Sequence, residues 1–393
     1  MGNKISRRAL LRRSAVLAGG LPFSGSLFSH LQAAPAVNGH AASPFSSEGW
    51  TERDIALAAV EPLKARLFAN ENPFGPSGKA KKAIVETLPV AYQYPFMELG
   101  DLTSKIAAFE KIDQKNILLA AGSTPLLMAA ALAYYKPGCN VVSADPTYAD
   151  LPGRAERVGA KWIKVPLTAE YKLDLEAMEK AVDEHTAIVY VCNPNNPTAT
   201  VVDNEQLRAF VDRVSKKTVV FLDEAYIDYL PDPQGTTLVP VANSNPNVIV
   251  ARTFSKLYGF AGLRLGYVVT RPETIDKLQA YTVAFMSIST TTLQAAIATY
   301  QDRESLDSAL QKTVASKEYL YDVLRKEGYS YIPSVANFVM FPIKMEGKQF
   351  VDEMMKRSVG VRYWKFGGRD WCRISIGRMD EMQAFAEAFK DIS

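Results

Sequence analysis

Short apolar segments alternate with longer amphipathic ones along the middle of the chain. The apolar segments, each short enough for one strand, lie at 117–120, 140–144, 162–165, 187–192, 218–223, 247–252 and 265–269. Apolar residues at helical spacing separate several of them, most clearly at 126–135 and 204–216. Strands that alternate with helices are typical of an α/β domain with a mostly parallel central sheet flanked by helices.

Both flanks of this region show a different pattern. Residues 66–77 read as a strand that runs into a loop rich in proline and glycine. Toward the C-terminus helices dominate, including a long one at 305–327, and short apolar strands follow. We predict a large domain at 91–285 and a smaller α+β domain at 286–393, to which an N-terminal arm at 48–90 contributes.

Residues 1–47 follow neither pattern. Arg7 and Arg8 begin a sequence typical of a twin-arginine export signal, and an apolar run at 15–27 and small residues near Ala33 follow it. The run is too short, and too interrupted by glycine and serine, for a stable membrane anchor. We expect export to the periplasm, or a cytoplasmic location if the signal is not used. A disordered basic tail is the alternative.

Composition narrows the function classes. A chain of 393 residues has room for two domains. The net charge of +3 comes partly from the basic N-terminus, so the sequence gives no reason to expect nucleic acid as a partner. Three widely spaced cysteines argue against a disulfide framework. His30 and His40 lie in the N-terminal extension, which leaves His185 alone and argues against a metal site or a Ser-His-Asp triad.

Polar residues follow several of the predicted strands, where open parallel sheets bind ligands. Gly122, Ser123 and Thr124 come between a strand and a helix, where free N–H groups suit a phosphate. Ordinary helix capping explains such residues equally well. Asp223 follows a buried apolar strand, where a carboxylate needs a cationic partner, and a pyridinium nitrogen is one.

Lys256 lies among small hydroxyl residues and glycines, with Arg264 shortly after it. Such a lysine can form a Schiff base with pyridoxal phosphate while hydroxyls and a guanidinium hold the phosphate. The alternative interpretation of such a lysine, taken alone, is a surface residue in a loop at the start of a helix. The order and spacing of Asn196, Asp223, Tyr226 and Lys256 favour the cofactor.

The chain resembles the fold-type-I pyridoxal-phosphate enzymes of the class I/II aminotransferases, and most of all the histidinol-phosphate aminotransferase-like branch. The resemblance runs from about Arg66 to the C-terminus and rests on five motifs. They are ANENPFGPS, NPNNPT, DEAY, RTFSKLYGFAGLRLGY and CRISIG.

The resemblance implies a role for each matching residue. Lys256 forms the Schiff base and moves the proton, Asp223 pairs with the pyridine nitrogen, and Tyr226 hydrogen-bonds the ring's phenolic oxygen. Further cofactor contacts are implied for Asn196 at that oxygen, for Tyr148 stacked on the ring, and for Ser123, Thr124, Thr253, Ser255 and Arg264 at the phosphate. Tyr94 would reach the phosphate of a neighbouring subunit, which implies a homodimer with shared sites. Arg373, Arg362 and Asn72 would bind the substrate.

We therefore expect transamination between an amino acid, or an amine-bearing metabolite, and a 2-oxo acid. Histidinol-phosphate transamination is one alternative, although export argues against a biosynthetic role in the cytoplasm. A decarboxylase or lyase of the same fold is another. Two departures from the family pattern stand out. Ala199 replaces the usual glycine and would cost roughly 1 kcal/mol if it needs positive φ, and residues 284–292 differ, which indicates an altered substrate side.

Overall fold

The computed structural model describes residues 63–393, without the side chains of Ala284 and Phe285. The predicted export signal and most of the region before the first strand lie outside the described residues. The strands are β1 (Ala65–Arg66), β2 (Ile117–Ala120), β3 (Asn140–Asp145), β4 (Lys161–Pro166), β5 (Thr186–Cys192), β6 (Val219–Asp223), β7 (Val248–Thr253), β8 (Gly266–Val269), β9 (Phe338–Pro342), β10 (Val359–Gly360), β11 (Arg362–Phe366) and β12 (Arg369–Ser375).

Helices connect most of these strands. They are α1 (Gly78–Thr87), α2 (Phe96–Glu110), α3 (Thr124–Tyr134), α4 (Leu175–Lys180), α5 (Asn204–Val214), α6 (Pro233–Thr236), α7 (Val239–Ser244), α8 (Pro272–Gln279), α9 (Thr290–Thr299), α10 (Arg303–Lys326), α11 (Gly347–Lys356) and α12 (Met379–Lys390). The sequence at 146–148 predicts a turn that leads into a helix. The chain forms short 3₁₀ turns there instead, at Pro152–Arg154 and Glu156–Val158.

The largest sheet has seven strands in the order β2-β8-β7-β6-β5-β3-β4. Strands β7, β6, β5, β3 and β4 are parallel, whereas β8 runs antiparallel to both of its neighbours. The prediction of a mostly parallel sheet is therefore confirmed. Both faces of the sheet are covered, because Val220 and Leu222 of β6 enter one apolar core while Val219 and Phe221 enter another.

Two smaller sheets are formed mainly by the C-terminal part of the chain. Strands β11, β12 and β9 form an antiparallel sheet, and β1 pairs with β10. Phe341, Phe350, Phe385 and Phe389 build a third apolar core with the helices α10 to α12. The N-terminal strand thus joins the C-terminal part of the chain, while the predicted domain boundaries stay a prediction. Among residues 63–393 no helix combines the length and the apolar character needed to cross a membrane.

Candidate active site

A cavity of about 270 Å³ opens at the carboxyl ends of β5, β6 and β7. The segment after β1 and two arginines of the smaller sheet close its other side. All predicted site residues except Asn72 and Tyr94 line it: Ser123, Thr124, Tyr148, Asn196, Asp223, Tyr226, Thr253, Ser255, Lys256, Arg264, Arg362 and Arg373.

Lys256 projects into this cavity from the loop after β7. Its Nζ atom donates to the main-chain oxygen of Asn70 at 3.3 Å and lies 5.3 Å from the centre of the Tyr226 ring. Removal from water, and then the charge of Arg373, lowers the pKa of Lys256 to about 8. The amine is therefore closer to its uncharged, nucleophilic form at neutral pH than an ordinary lysine is.

Asp223 ends β6 and is buried at the floor of the cavity. Its carboxylate accepts from the Tyr190 hydroxyl at 2.9 Å and from the Ala225 N–H at 3.1 Å. Burial raises the pKa of Asp223 to about 6, although both donors and the charge of Lys256 oppose the shift. A cationic nitrogen in the cavity would be the partner that this buried carboxylate needs.

Asn196 and Arg373 are joined directly. The Arg373 Nη1 group donates to the Asn196 side-chain oxygen at 2.8 Å, and Nη2 donates to the Phe68 main-chain oxygen at 2.6 Å. Because the oxygen of the Asn196 amide is engaged, its NH₂ group is the end left to donate to a ligand. The two residues stand far apart in sequence, one after β5 and the other in β12.

The other end of the cavity has the character of an anion site. Arg264 Nη1 donates to Ser255 Oγ at 3.2 Å, and the guanidinium lies against Gly122 so closely that a Cβ atom there would overlap it. Ser123 lies at the N-terminal end of α3, where helix N–H groups and the helix dipole favour negative charge. Glycine at 122 is what allows the arginine and the helix end to converge.

Two of the expected phosphate contacts are engaged elsewhere. The Thr253 hydroxyl donates to the Leu265 main-chain oxygen at 3.3 Å and accepts from the Ser255 N–H at 3.1 Å. The Thr124 hydroxyl donates to buried Asp150 at 3.3 Å. Both line the cavity, but as arranged here they shape its wall and do not present a hydroxyl proton to it.

Tyr148 lies in the wall of the cavity, where an aromatic ring could stack on a ligand. Its hydroxyl donates to Asp150 at 2.7 Å, which fixes the ring. Burial, followed by the charge of Asp150, raises the pKa of Tyr148 well above its usual value. The tyrosine therefore stays neutral, and its ring is the part that could contact a ligand.

Arg362 and Arg373 stand directly opposite each other on the paired strands β11 and β12. Burial, and then the charge of Arg362, lowers the pKa of Arg373. The Arg373 Nε atom is buried and has no hydrogen-bond partner within residues 63–393. Like charges opposite each other on neighbouring strands are unfavourable, so an anion bound beside them would stabilise the pair.

Two predicted site residues lie outside the cavity. The Asn72 amide donates to the Leu257 main-chain oxygen at 2.7 Å and so supports the Lys256 loop, while substrate binding by Asn72 stays a prediction. Tyr94 is 70% exposed and lines a separate depression together with Met286 and Thr290. The divergent 284–292 segment thus adjoins Tyr94 and not the main cavity.

Aromatic residues close in sequence to Lys256 and Arg362 could line a pocket or pack in a core, and those described by the structure pack. Tyr258, Phe260 and Tyr363 belong to the apolar cores, and Trp364 packs against a small cluster around Trp371. The side chain of Phe285 lies outside the described residues.

Sequence reasoning missed several residues of the site. Asn70, two positions before Asn72 in the sequence, lines the cavity. Tyr190 donates to Asp223, and Asp150 accepts from Tyr148. A polar residue inside an otherwise apolar strand was the available signal for Tyr190. No local pattern marks the contact between Asn70 and Ser375, since the two are far apart in sequence.

The residues present fit pyridoxal phosphate. The Gly122–Arg264 cradle suits a phosphate, and buried Asp223 suits a protonated ring nitrogen. Lys256 projects into the same cavity with a lowered pKa, as a lysine that must attack an aldehyde requires.

Comparisons with known proteins agree with this site. The sequence profile of the family described as "Aminotransferase class I and II" matches residues 64–389. A histidinol-phosphate aminotransferase of Moorella thermoacetica (strain ATCC 39073 / JCM 9320) is 35% identical over 329 residues, which cover 83% of this chain and 85% of the relative. An aromatic amino acid aminotransferase of Cutibacterium acnes (strain DSM 16379 / KPA171202) is 33% identical over 323 residues, covering 82% and 91%.

Solved structures are similar as well. The histidinol-phosphate aminotransferase from Sinorhizobium meliloti, in complex with pyridoxal-5′-phosphate, matches with a TM-score of 0.78 at 27% sequence identity. The match covers 84% of this chain and 92% of that one.

Proposed function

The chain belongs to the class I and II aminotransferase family, and within that family we propose that Lys256 is the lysine that links to the cofactor and moves the proton. Membership confirms fold type I, pyridoxal phosphate as the cofactor and transamination as the reaction. The observation that carries the proposal is the position of the Lys256 amine, which lies in the cavity within the fields of Asp223, Arg264 and Arg373.

The residues of the cavity have different roles in proton transfer and in binding the cofactor. Pyridoxal phosphate supplies an electron-withdrawing ring that acidifies the Cα–H bond of an attached amine. Lys256, with its pKa lowered to about 8, would take that proton as a base and return it at the cofactor's C4′ atom. Asp223 holds the proton on the ring nitrogen, which keeps the ring electron-withdrawing. Asn196 and Tyr226 orient the ring through its phenolic oxygen.

The paired arginines define the donor's chemistry. We propose that Arg373 binds the carboxylate of an amino acid donor or of the 2-oxo acid acceptor, because its planar fork suits two oxygens of one anion. Arg362 directly opposite adds a second positive charge. This pair favours a dianionic phosphate as a second candidate, and transamination of histidinol phosphate is therefore the alternative function.

A donor panel separates these candidates. Enzyme loaded with cofactor would be mixed with single amino donors and no acceptor, and conversion to pyridoxamine phosphate would be followed by absorbance. Aromatic amino acids report carboxylate recognition, while histidinol phosphate and its matched control histidinol report phosphate recognition. Release of carbon dioxide without conversion would assign a decarboxylase or lyase instead. No conversion with any amine would contradict transamination by this site.

A homodimer with shared sites is part of the proposal. The region around Tyr94 exposes large apolar side chains, including Tyr92 at 83% and Met97 at 77%, and such patches mark protein interfaces. We expect Tyr94 of one protomer to reach the cofactor phosphate in its partner. Mixed dimers of Tyr94→Ala and Lys256→Ala chains would then regain activity, because one of the two sites receives both intact residues. Hybrids as inactive as both parents would contradict the sharing.

Export through the twin-arginine pathway is also proposed. It rests on the sequence around Arg7 and Arg8, which lies outside the described residues. Replacing both arginines by lysine should keep the protein in the cytoplasm, as measured by fractionation with a periplasmic marker. An unchanged distribution would contradict the signal.

A further inference from the structure

Asn70 is a buried residue of the cavity to which neither the motifs nor the resemblance assign a role. It is 1% exposed, lines the cavity and has a left-handed backbone with φ of 52°. Asparagine tolerates that conformation better than most residues, yet glycine is the ordinary choice there. Its main-chain N–H donates to Ser375 Oγ at 2.7 Å, which ties the segment after β1 to the end of β12.

The side chain of Asn70 is fixed in one orientation. The Ser375 hydroxyl donates to its side-chain oxygen at 2.9 Å, so the NH₂ group points the other way. That group donates to the Tyr226 hydroxyl oxygen at 3.0 Å. Since the Tyr226 oxygen accepts from Asn70, its own proton is free to be donated, and residues 63–393 offer it no acceptor. The proton is therefore directed toward the cavity.

The main chain of Asn70 serves the neighbouring residue. Its carbonyl oxygen accepts from Lys256 Nζ at 3.3 Å and from the Asn337 amide at 3.3 Å. The left-handed backbone is what allows the carbonyl and the side chain to act on these two different residues. One residue thus contacts both Lys256 and Tyr226 from a segment far away in sequence.

We propose that Asn70 is a positioning residue: its amide makes Tyr226 a hydrogen-bond donor toward the cofactor's phenolic oxygen, and its carbonyl holds the Lys256 amine when that amine is free. The inference deepens the function proposed for this site and rests on it. It adds a residue that acts through Tyr226 and Lys256 and that itself neither forms a bond with the substrate nor carries the proton.

A double-mutant cycle on cofactor binding tests the inference. Asn70→Gly keeps the backbone conformation and the carbonyl but removes the amide, and Tyr226→Phe removes the hydroxyl. We expect Asn70→Gly to raise the cofactor dissociation constant about fivefold and Tyr226→Phe to raise it about tenfold or more. The double variant should resemble Tyr226→Phe alone, because the amide acts only through that hydroxyl.

Two further variants separate positioning from folding. Asn70→Ala also lacks the amide but must adopt the left-handed backbone, so its melting temperature should fall while its cofactor affinity matches that of Asn70→Gly. Asn70→Asp offers Tyr226 an acceptor in place of a donor and should weaken cofactor binding more than Asn70→Gly does.

Spectroscopy adds a measurement that a purely structural role would leave unchanged. Losing a donor to an anionic oxygen raises the pKa of the group that shares its proton with it. The pH at which the near-visible absorbance of the loaded enzyme changes should therefore move upward in Asn70→Gly, and less so in Ser375→Ala. Wild-type affinity and pH dependence in Asn70→Gly, or multiplied effects in the double variant, would overturn the inference. The Lys256 link would persist in both cases, so its loss alone would instead contradict the proposed function.

Discussion

The two ends of the cavity are built in different ways. The cofactor end stands on neighbouring parallel strands, where Cys192 pairs with Asp223 and Asp223 pairs with Ala251. The substrate end combines Arg362 and Arg373 of the smaller sheet with the segment after β1. One end is held by a sheet buried on both faces, the other by contacts between distant parts of the chain. We expect the first end to determine the type of reaction and the second end to determine which amino donor is bound.

Lys256→Ala is the largest test of the cofactor end. Without the amine no base remains to move the proton, so kcat should fall by about 10⁴-fold or more for every donor. Steady-state assays with cofactor in excess would measure this. A loss confined to one donor would break the division between the two ends, and Lys277→Ala, at an exposed position of α8, is the matched control.

Asp223→Asn should affect all donors alike. The amide keeps the size of the side chain but loses the charge that holds a proton on the ring nitrogen, so kcat should fall by roughly 10²- to 10³-fold. The ratio of kcat/KM between any two donors should stay constant. A changed ratio in the donor panel would show that the cofactor end also selects the substrate.

Arg373→Lys should act on the opposite end. Lysine keeps the charge but loses the planar fork, and kcat/KM for acidic donors should fall about 10- to 100-fold. The near-visible absorbance of the loaded enzyme should remain. An equally large loss of cofactor binding would mean that Arg373 acts mainly by holding Asn196 and less by binding the substrate. Arg362→Gln should lower kcat/KM for donors that carry a phosphate more than kcat/KM for donors that carry only a carboxylate.

The pH dependence of cofactor capture reports on Lys256 itself. Only the uncharged amine attacks an aldehyde, and with a pKa of about 8 its uncharged fraction rises about tenfold between pH 7 and pH 9. The rate of cofactor capture by the cofactor-free protein should rise with pH, reach half its maximum near pH 8 and level off above about pH 9. A rise that continues toward the ordinary lysine value near pH 10.4 would contradict the lowered pKa.

Ala199 lies where the loop after β5 packs against strand β9 of the smaller sheet. Its φ is 56°, so this position does need the left-handed backbone that glycine adopts most easily, and its methyl packs in a small buried cluster with Tyr226, Ala336 and Phe338. Ala199→Gly relieves about 1–2 kcal/mol of backbone strain and loses about 0.8 kcal/mol of methyl burial. The free energy of unfolding should therefore change by less than about 1 kcal/mol, measured by denaturant titration. A destabilisation above about 2 kcal/mol would mean that the methyl holds the junction together.

The cofactor end could be predicted from sequence because its signals are local. Apolar strands end in polar residues, and parallel strands bring those ends together, so the sequence predicts that Asn196 and Asp223 lie at one edge of the sheet. The same regularity predicted the mostly parallel sheet.

The substrate end could not be predicted in the same way. Asn70 contacts Ser375, Tyr226 and Lys256 only after the segment following β1 joins the smaller sheet, and no local pattern encodes such a contact. Asn72 was chosen from the same motif, yet its amide supports the Lys256 loop. The hydroxyls of Thr124 and Thr253 illustrate the same limit, because their partners decide where their protons point.

Borohydride reduction of the loaded enzyme tests the central claim most directly. Reduction fixes any imine between a lysine and the cofactor, and mass spectrometry of the digested protein then locates it. We predict that the cofactor is found on the peptide containing Lys256 and on no other lysine. Label on a different lysine, or no label in protein that absorbs in the near-visible range, would contradict the account.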